Sequence, residues 1–256
     1  MFYFHPIVPG LILLVLQQIG DIIDQCGRKG VKAAIVATEG FAETGPDGAD
    51  LQRQLVETAR GFGMRLLGPN TLGVLSTDYG LVTAPYSMDH NNPPIGGITY
   101  CSQTGCLTFG VHPVKDLGYP ISKICDFGNK CDVNECDLVD YLGQDPSTGV
   151  ISLYIESIPE GSRFLEVSSR VTLQKPVLMV KAGRTKEGAH ASASHTGSMA
   201  ADDRIFDAAC TQAGLLRLDE FQEIFEMPKI FAAQPLPLGN RLGIVTVTGG
   251  VGVMAI

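Results

Sequence analysis

The chain has 256 residues, of which 45% are hydrophobic and 18% are charged. Disordered chains combine low hydrophobicity with high net charge, so this composition excludes disorder and is typical of a globular α/β protein. The formal net charge of −8 argues against a nucleic-acid-binding chain, because phosphate recognition needs a basic surface.

The amino-terminal run Ile7–Leu16 is apolar but shorter than the roughly 20 residues that a membrane-spanning helix needs. No basic segment precedes it and no small-residue cleavage site follows it, so we expect neither a signal peptide nor a membrane anchor. Val8-Pro9-Gly10 predicts the end of a strand and a turn before a buried helix.

The first block of the chain alternates strand and helix. Ala33–Thr38 is a continuous apolar run, which predicts a strand buried on both faces. Ala49–Gly63 has helical spacing, and Arg65–Leu67 predicts a short strand that Gly68-Pro69-Asn70 closes. The loop Tyr86–Pro94 is rich in Asp, His, Asn and Pro and marks a domain boundary.

The second block repeats this alternation more often, which predicts a parallel, doubly wound sheet. Its predicted strands are Gly97–Cys101, Ile121–Phe127, Gly149–Ile155, Pro176–Lys181 and Leu215–Leu218. Its predicted helices are Leu107–Leu117, Glu135–Leu142, Glu160–Leu173 and Ala201–Ala213, the last one capped by Asp202 or Asp203 and ended by Gly214. Asp219 is expected to cap a final helix that Pro228 kinks or ends.

A third unit begins after Gly239-Asn240, with a predicted strand at Leu242–Thr248 and a turn at Gly249-Gly250. A strand and a turn without the following helix make an unfinished unit, and the first block is a remnant of three strands. We therefore expect the chain to be a piece of a longer protein, cut at both ends.

The seven cysteines have no repeated C-x-x-C spacing, which argues against a structural zinc site, and we expect no metal site. Scattered cysteines without a signal peptide predict reduced thiols and a cytoplasmic location. The seven are Cys26, Cys101, Cys106, Cys125, Cys131, Cys136 and Cys210.

The segment Lys181–Ala201 joins a predicted strand to a predicted helix and consists mostly of small residues. Small residues let backbone N–H groups approach an anion closely, and an imidazole in such a loop can attack phosphorus. The candidate is His195, within Ser194-His195-Thr196-Gly197-Ser198. The alternative is a solvated loop with an incidental histidine, which is the interpretation we prefer for His190.

A second strand-turn-helix places Ser102-Gln103-Thr104-Gly105 at a helix amino terminus, where unpaired N–H groups favour phosphate. The Gly-Lys-Ser/Thr ending of a Walker A motif is missing. A capped helix with a tight turn is the alternative interpretation.

Other candidates follow predicted strands, and ligands of open α/β sheets bind at the carboxyl ends of strands. Glu156 there can accept an imidazole N–H and stabilise the charged ring, although a surface carboxylate fits the same position. Thr38-Glu39-Gly40 and Gly68-Pro69-Asn70 lie at the same kind of edge, where Gly, Pro and Asn are also common turn residues. The chain contains no GxSxG or GxGxxG motif.

Taken together, these segments resemble the NDP-forming acyl-CoA synthetases, the superfamily of succinyl-CoA synthetase and ADP-forming acetyl-CoA synthetase. The most specific stretch is ASHTGSMAADDRIFDAACTQAGLLRLDEFQEIFE, from Ala193 to Glu226. Supporting stretches are ATEGFAETG (37–45), GPNTLGV (68–74), SQTGCLTFGV (102–111), FGNKCDVNECDLVDYL (127–142) and KPVLMVKAGRT (175–185).

The resemblance implies a fold, three domains and a reaction. Residues 1–90 are expected to form the carboxyl-terminal part of a Rossmann-like CoA-binding domain. Residues 91–236 are expected to form a flavodoxin-like domain with the phosphohistidine loop, and residues 237–256 the first strand of a third domain. The family interconverts acyl-CoA, phosphate and ADP with acid, CoA and ATP. A histidine carries the phosphoryl group from an acyl phosphate to ADP on an ATP-grasp domain.

The resemblance also implies roles for single residues. His195 falls at the phosphorylated histidine and Glu156 at the carboxylate that supports it. The phosphate-binding residues implied are Ser102, Gln103, Thr104, Gly105, Ser194, Thr196, Gly197 and Ser198. The residues implied near CoA and the acyl group are Thr38, Glu39, Gly40 and Asn70.

The partners implied are an ATP-grasp β subunit or fused domain that binds ADP or ATP with magnesium, a small carboxylic acid such as acetate, and its acyl-CoA. The glycine-containing loop that binds CoA in the family is expected before Met1. CoA binding is therefore the activity that the resemblance supports least for this chain. Two alternatives remain: a non-catalytic module that senses CoA or another small molecule in an acetyltransferase fusion, and an inactive fragment. Retention of both His195 and Glu156 favours the ligase.

Overall fold

The structure is a computed structural model that describes seven ranges of the chain: 10–12, 18–83, 95–105, 120–185, 187–188, 202–241 and 243–255. Three of the predictions lie outside the described residues. They are the boundary loop 86–94, the helix 107–117 and the histidine loop 194–198.

The described ranges hold ten strands and seven α-helices. The strands are β1 (Gly10–Ile12), β2 (Ala33–Val36), β3 (Arg65–Leu67), β4 (Val74–Ser76), β5 (Leu81–Val82), β6 (Ile95–Ser102), β7 (Ile121–Asp126), β8 (Val150–Ile155), β9 (Val177–Lys181) and β10 (Leu216–Arg217). The helices are α1 (Ile19–Arg28), α2 (Pro46–Gly61), α3 (Glu135–Gln144), α4 (Gly161–Val171), α5 (Asp203–Ala213), α6 (Glu223–Ala233) and α7 (Gly249–Met254).

The first three strands form a parallel sheet in the order β1-β2-β3. The apolar run AAIV makes β2, and all of its residues but Ala33 are buried. Ile23 of α1, Leu55 of α2 and Val36 of β2 belong to one buried cluster. The first block of the chain therefore has its own sheet and its own core.

The second sheet has seven strands in the order β10-β9-β8-β6-β7-β4-β5. Its five strands from β10 to β7 are parallel. Numbered from β6, they follow the 2-1-3-4-5 order of flavodoxin-like folds. The hairpin β4-β5 adds two antiparallel strands beside β7, which leaves β7 without an open edge.

Both faces of the second sheet are covered by helices. One buried cluster joins Leu153 of β8 to Val139 of α3 and Phe164 of α4. The other joins Leu178 of β9 to Ile224 of α6. Helices on both faces of a mainly parallel sheet make a doubly wound architecture, so the predicted α/β fold, Rossmann-like and then flavodoxin-like, is confirmed.

Side-chain caps fix the ends of two helices in the second block. The Asn134 side chain accepts from the backbone N–H groups of Cys136 and Asp137, at 2.9 and 3.3 Å, where α3 begins. Asp202 accepts from the N–H of Arg204 at 2.9 Å, which confirms the predicted cap of α5. Gly214 ends that helix with a left-handed φ of 70°, as its position predicted.

Three predictions about elements were wrong, the first at the amino terminus. Residues 10–12 form strand β1 instead of a turn before a buried helix, and α1 begins only at Ile19. A short apolar run fits a buried strand and a buried helix equally well by periodicity. The parallel pairing of Gly10–Ile12 with Ala34–Val36 decides for the strand.

The second error concerns the predicted strand 242–248. Residues 243–248 form no strand, and Gly249–Met254 is a helix. Val245 and Val247 are fully exposed. A strand needs a neighbour to complete its backbone hydrogen bonds, and within the described ranges no strand lies beside this segment.

The third error concerns the last helix of the second block. Asp219 does not cap it, since α6 begins at Glu223. Of the two effects predicted for Pro228, the end of the helix is wrong, because Pro228 lies inside α6, and the kink stays a prediction. A proline lacks the N–H that would bind the carbonyl four residues earlier, here Ile224. The hydroxyl of Ser152 on β8 donates to that carbonyl at 2.8 Å, so the acceptor is satisfied across the core.

The hairpin β4-β5 precedes the predicted domain boundary at residue 90, yet it pairs with the second sheet. Strand pairing therefore assigns residues 74–82 to the second architectural unit. The three-part domain division itself stays a prediction.

Candidate functional site

The order of the strands defines a crevice in the second sheet. The chain passes from β6 to β7 on one side and then to β8 on the other side of β6, so the order reverses between β6 and β8. Ligands of open α/β sheets bind at the carboxyl ends of the strands at such a reversal. Two predicted site residues, Gln103 and Glu156, directly follow β6 and β8 there.

Hydrogen bonds join these two residues. The side-chain oxygen Oε1 of Gln103 accepts from the backbone N–H of Glu156 at 2.9 Å and from that of Ser157 at 3.2 Å. The backbone N–H of Gln103 donates to the carbonyl of Tyr154 at 3.1 Å. The structure therefore brings the predicted phosphate-binding turn into contact with the backbone of Glu156, the residue predicted to supply the supporting carboxylate.

The turn after β6 is stabilised by its own side chain. The Ser102 hydroxyl accepts from the N–H of Thr104 at 3.0 Å and donates to the Thr104 carbonyl at 2.7 Å. A Cβ on Gly105 would lie 2.5 Å from Leu72 and 2.9 Å from the Asp126 carboxylate. Only a glycine therefore fits this packing, and the loops that follow β6, β7 and β3 meet here.

Asp126 ends β7 beneath the site, with 1% of its surface exposed. Its carboxylate accepts from the N–H groups of Leu72 at 2.6 Å and Gly128 at 3.1 Å. Burial raises the pKa of Asp126 to about 6, although those hydrogen bonds act to lower it. One buried carboxyl group thus holds the loops after β3 and β7 together.

Lys130 lies in the loop after β7, and its side chain is 3% exposed. The ammonium Nζ donates to the Ser157 carbonyl at 2.5 Å and lies 3.0 Å from the Glu135 carboxylate. Burial lowers the pKa of Lys130, while the charges of Glu135 and Glu156 act to raise it. A buried cation thus lies beside the segment that carries Glu156.

The residues predicted near CoA and the acyl group follow β2 and β3 of the first sheet. Asn70 has a left-handed φ of 59°, and its N–H donates to the Thr38 carbonyl at 3.0 Å. Glu39 is exposed, whereas Thr38 and Gly40 are half-buried. The structure brings Thr38 and Asn70 together at the carboxyl edge of this sheet.

Glu43 shapes the loop that contains Gly40. Its carboxylate accepts from the N–H groups of Gly40 at 2.5 Å and Phe41 at 3.1 Å, and the Asn129 amide donates to its second oxygen. Burial acts to raise the pKa of Glu43, but these hydrogen bonds lower it below its ordinary value. The Gly40 N–H is therefore already bonded within the protein.

Asn129 joins the two predicted sets of residues. Its side chain contacts Glu43 and Gln52 of the first block, and its Oδ1 lies 3.5 Å from the Asn70 amide. Its own N–H donates to the Pro69 carbonyl at 2.9 Å. Asn129 therefore connects the loop after β7 with the predicted CoA and acyl site.

His195, Ser194, Thr196, Gly197 and Ser198 lie outside the described residues. In sequence they belong to the segment between β9, which ends at Lys181, and α5, which begins at Asp203. Their predicted roles, like those of the other candidate residues, remain predictions.

Sequence reasoning missed several side chains that shape the site: Glu43, Asp126, Asn129, Lys130 and Glu135. Four of them fall inside or beside FGNKCDVNE, a stretch that carried the resemblance without a role for any single residue. One local signal exists, since the charged Asp126 directly follows the buried run ISKIC. Such a charge at the carboxyl end of a strand is a candidate site residue.

A surface cavity of about 690 Å³ lies away from this site. Tyr141 and Asp145 line it, and both lie near the carboxyl end of α3, before β8 begins. The cavity extends along α3, and neither Gln103 nor Glu156 lines it.

A family model described as "Succinyl-CoA ligase like flavodoxin domain" matches residues 95–231, more than half of the chain. The chain belongs to this family. The matched part begins with β6 and includes both strands that flank the crevice, so the succinyl-CoA ligase-like domain contains the Gln103 and Glu156 site. The predicted resemblance is thereby confirmed.

Relatives of this ligase-like chain are similar to it over nearly its whole length. The alpha subunit of acetate–CoA ligase [ADP-forming] I from Pyrococcus furiosus is 37% identical over 96% of this chain. Acetate–CoA ligase [ADP-forming] from Methanocaldococcus jannaschii is 36% identical over 97% of this chain. Acetyl-coenzyme A synthetase 1 of Candidatus Korarchaeum cryptofilum, solved with phosphate and ADP, matches with a TM-score of 0.89 and 38% identity over 98% of this chain.

The ligase-like chain is shorter than these relatives. It spans 53% of the P. furiosus subunit, 34% of the M. jannaschii protein and 54% of the Korarchaeum chain. Within its described residues, no helix has the length and apolar character needed to cross a membrane.

Proposed function

We propose that this chain is part of an ADP-forming acyl-CoA ligase, an acid-thiol ligase in which His195 carries the phosphoryl group. The observation that carries the proposal is the Gln103–Glu156 hydrogen bond of 2.9 Å, at the crevice where β6 and β8 diverge. It joins a candidate anion-binding turn to the backbone of the residue that carries the candidate supporting carboxylate, at the edge where this type of fold binds ligands. The relatives named as ADP-forming acetate–CoA ligases support the same reaction.

The proposed reaction has three transfers. Phosphate attacks the thioester carbonyl of acyl-CoA, the C–S bond breaks and CoA leaves. A ring nitrogen of His195 then attacks the phosphorus of the acyl phosphate, so that an N–P bond forms while the P–O bond to the carboxylate breaks. Finally the phosphoryl group passes from His195 to ADP and gives ATP, and each step is reversible.

The residues of the chain orient this chemistry. Glu156 accepts the other N–H of the His195 ring, which fixes the tautomer and stabilises the charged imidazole. The turn Ser102–Gly105 and the small residues Ser194, Thr196, Gly197 and Ser198 bind phosphoryl oxygens. Phosphoryl transfer depends mostly on positioning and on hydrogen-bond donors for the oxygens, so a site of this kind suits it.

CoA and the acyl group are proposed to bind at Thr38, Glu39, Gly40 and Asn70. The local structure fits this role in part. The half-buried Asn70 amide donates only a long hydrogen bond of 3.5 Å to Asn129, whereas the N–H of Gly40 donates to Glu43 at 2.5 Å. We therefore expect Gly40 to let CoA or the acyl group come close to the backbone, and we expect no hydrogen bond from its N–H to the ligand.

The proposal includes a partner. ADP or ATP with magnesium binds on an ATP-grasp β subunit or fused domain, and the chain works in the cytoplasm on a small carboxylic acid such as acetate. One observation supports a partner: the P. furiosus relative is named as an alpha subunit. The Korarchaeum structure was solved with ADP and phosphate, which are two of the three substrates of the proposed reaction.

The deciding experiment incubates the purified chain with ³²P-labelled acetyl phosphate and magnesium, then measures acid-labile protein-bound phosphate. We expect label on the parent chain and on His190→Ala, a matched variant in the same segment, but none on His195→Ala. Equal label on His195→Ala would contradict the assignment of the histidine. An unlabelled parent would favour the sensor module or the inactive fragment.

Glu156→Gln tests the supporting carboxylate in the same assay. Glutamine retains the size of the side chain and the backbone bonds to Gln103 but carries no charge. We expect labelling to slow on the order of 10²-fold, a smaller loss than for His195→Ala. Labelling at the parent rate would refute the role of Glu156.

A further inference from the structure

The segment Glu156-Ser157 is held by side chains from two neighbouring loops. Gln103 accepts both of its N–H groups from the β6 side. On the β7 side, the ammonium of Lys130 donates to the Ser157 carbonyl at 2.5 Å. The position of the Glu156 backbone therefore depends on both loops.

Two features of Lys130, a buried ion pair and a left-handed backbone, are not those of a residue that mainly stabilises the fold. Its charge is paired with Glu135, whose side chain is fully buried, at 3.0 Å. A buried ion pair of this kind often contributes less to stability than apolar residues of the same size would. Lys130 also adopts a left-handed φ of 57°, a conformation that non-glycine residues avoid. Strain and a buried charge at one residue are typical of functional sites.

The Lys130 ammonium also has an electrostatic role. Glu156 is among the carboxylates whose charge acts on Lys130, and the Phe127 ring packs 5.9 Å from the same ammonium. A phosphoryl group that approaches Glu156 brings negative charge toward another negative charge. A buried cation beside them offsets that repulsion.

We propose that Lys130 is a positioning residue for Glu156: its ammonium, oriented by Glu135, fixes the Glu156-Ser157 segment and supplies positive charge beside it. This inference rests on the proposed function of Glu156. It adds a residue that does not itself touch the transferred group.

The test uses Lys130→Met/Glu135→Gln, which removes both charges so that neither is left buried alone. A matched control is Lys123→Met/Asp145→Asn, since Lys123 forms a 2.6 Å ion pair with Asp145 near the other end of β7. Lys130→Arg retains the charge and serves as the rescue variant. Only variants that unfold cooperatively in urea are compared.

The first measurement is amide hydrogen exchange of the full chain, which needs no activity. In Lys130→Met/Glu135→Gln we expect about tenfold faster exchange at Glu156 and Ser157, with little change at Leu153 inside β8. The control pair should leave both sites as in the parent. Parent-like exchange at Glu156 and Ser157 would overturn the proposal.

The second measurement is the initial rate of His195 labelling by acetyl phosphate. We expect the double variant to label at least about tenfold more slowly, Lys130→Arg to recover most of the rate, and the Lys123 control to label like the parent. An equal loss in the Lys123 control would show a merely structural role and overturn the proposal. If the parent takes no label, the proposed function fails, and the exchange rates alone decide the role of Lys130.

Discussion

Asp126 is a buried carboxyl group whose role is to accept hydrogen bonds from the backbone of two loops. It accepts from the backbone N–H groups of Leu72 and Gly128, one on each side of the junction between the two sheets. Burial raises its pKa from 3.8 to about 6, which means that the fold favours the protonated form. The linkage between this pKa and stability gives a direct test.

A group whose pKa is raised by folding stabilises the protein below its unfolded pKa and loses that contribution as the pH rises through the folded value. For Asp126 the window runs from about pH 4 to about pH 7, and a shift of this size corresponds to about 3 kcal/mol. We expect the deficit of Asp126→Asn in the free energy of unfolding to be largest near the lower end of this window and to shrink by about that amount at its upper end. Urea unfolding of parent and variant across this range measures it.

Asp137→Asn is the matched control of opposite sign. Burial acts to raise the pKa of Asp137, but hydrogen bonds from Arg163 and from the Asn134 backbone lower it below its ordinary value. Its stabilising contribution is therefore lost as the pH falls, so the deficit of this variant does not shrink as the pH rises across the same window. If the Asp126 deficit behaved in the same way, the assignment of its raised pKa would be wrong.

Among the connecting elements, the turn after β7 depends on Gly128. A Cβ there would lie 2.2 Å from the Pro69 carbonyl oxygen and 2.4 Å from that of Asn70. Its φ of 50° is also left-handed. The loops after β3 and β7 approach this closely only because the residue has no side chain.

Gly128→Ala is expected to destabilise the protein by about 3 kcal/mol or more, because it adds a steric clash to an unfavourable φ. Gly30→Ala is the matched control, since Gly30 has a φ of 79° and a Cβ there would meet nothing within 4 Å. That control should cost only about 1–2 kcal/mol, the conformational part alone. The two variants are compared by their urea unfolding midpoints, provided that the dependence of the free energy of unfolding on urea is the same for both. Equal losses of stability would mean that the loops after β3 and β7 move apart at little cost.

How far the sequence predicts these elements depends on what fixes them. The strands β8 and β9 are predicted correctly because both are continuous apolar runs between turn residues. The sequence does not decide between a kink and an end at Pro228, because the carbonyl of Ile224 that the proline leaves unpaired accepts from the hydroxyl of Ser152, which is distant in the sequence. The site divides in the same way: Gln103 and Glu156 follow strands and are visible in the sequence, whereas the partners of Lys130 are set only by the packing of loops.

Across the whole molecule, the segment after Lys130 connects the two sheets. The N–H groups of Cys131 and Val133 donate to the carbonyls of Gly68 and Leu66, both at 3.0 Å, along the outer edge of β3. Asp132 between them accepts from the Leu66 N–H at 2.9 Å and from Arg65 at 2.8 Å. A piece of the second block thus covers the open edge of the first sheet, and we expect the two sheets to unfold together.

The cysteines report on this coupling, since each of the six in the described ranges is a free thiol. Cys26 packs against the core of the first sheet, whereas Cys210 is buried in that of the second. In pulsed alkylation read by mass spectrometry, the reaction rates of the half-buried Cys26 and the buried Cys210 should rise above their folded-state values at one urea concentration, because neither sheet then opens alone. Asp132→Ala removes the acceptor of the Leu66 N–H and the partner of Arg65, so the rise for Cys26 should come at lower urea than the rise for Cys210. If the rise for Cys26 already comes first in the parent chain, the sheets are independent units, and the loop after β7 orients the site without stabilising the first sheet.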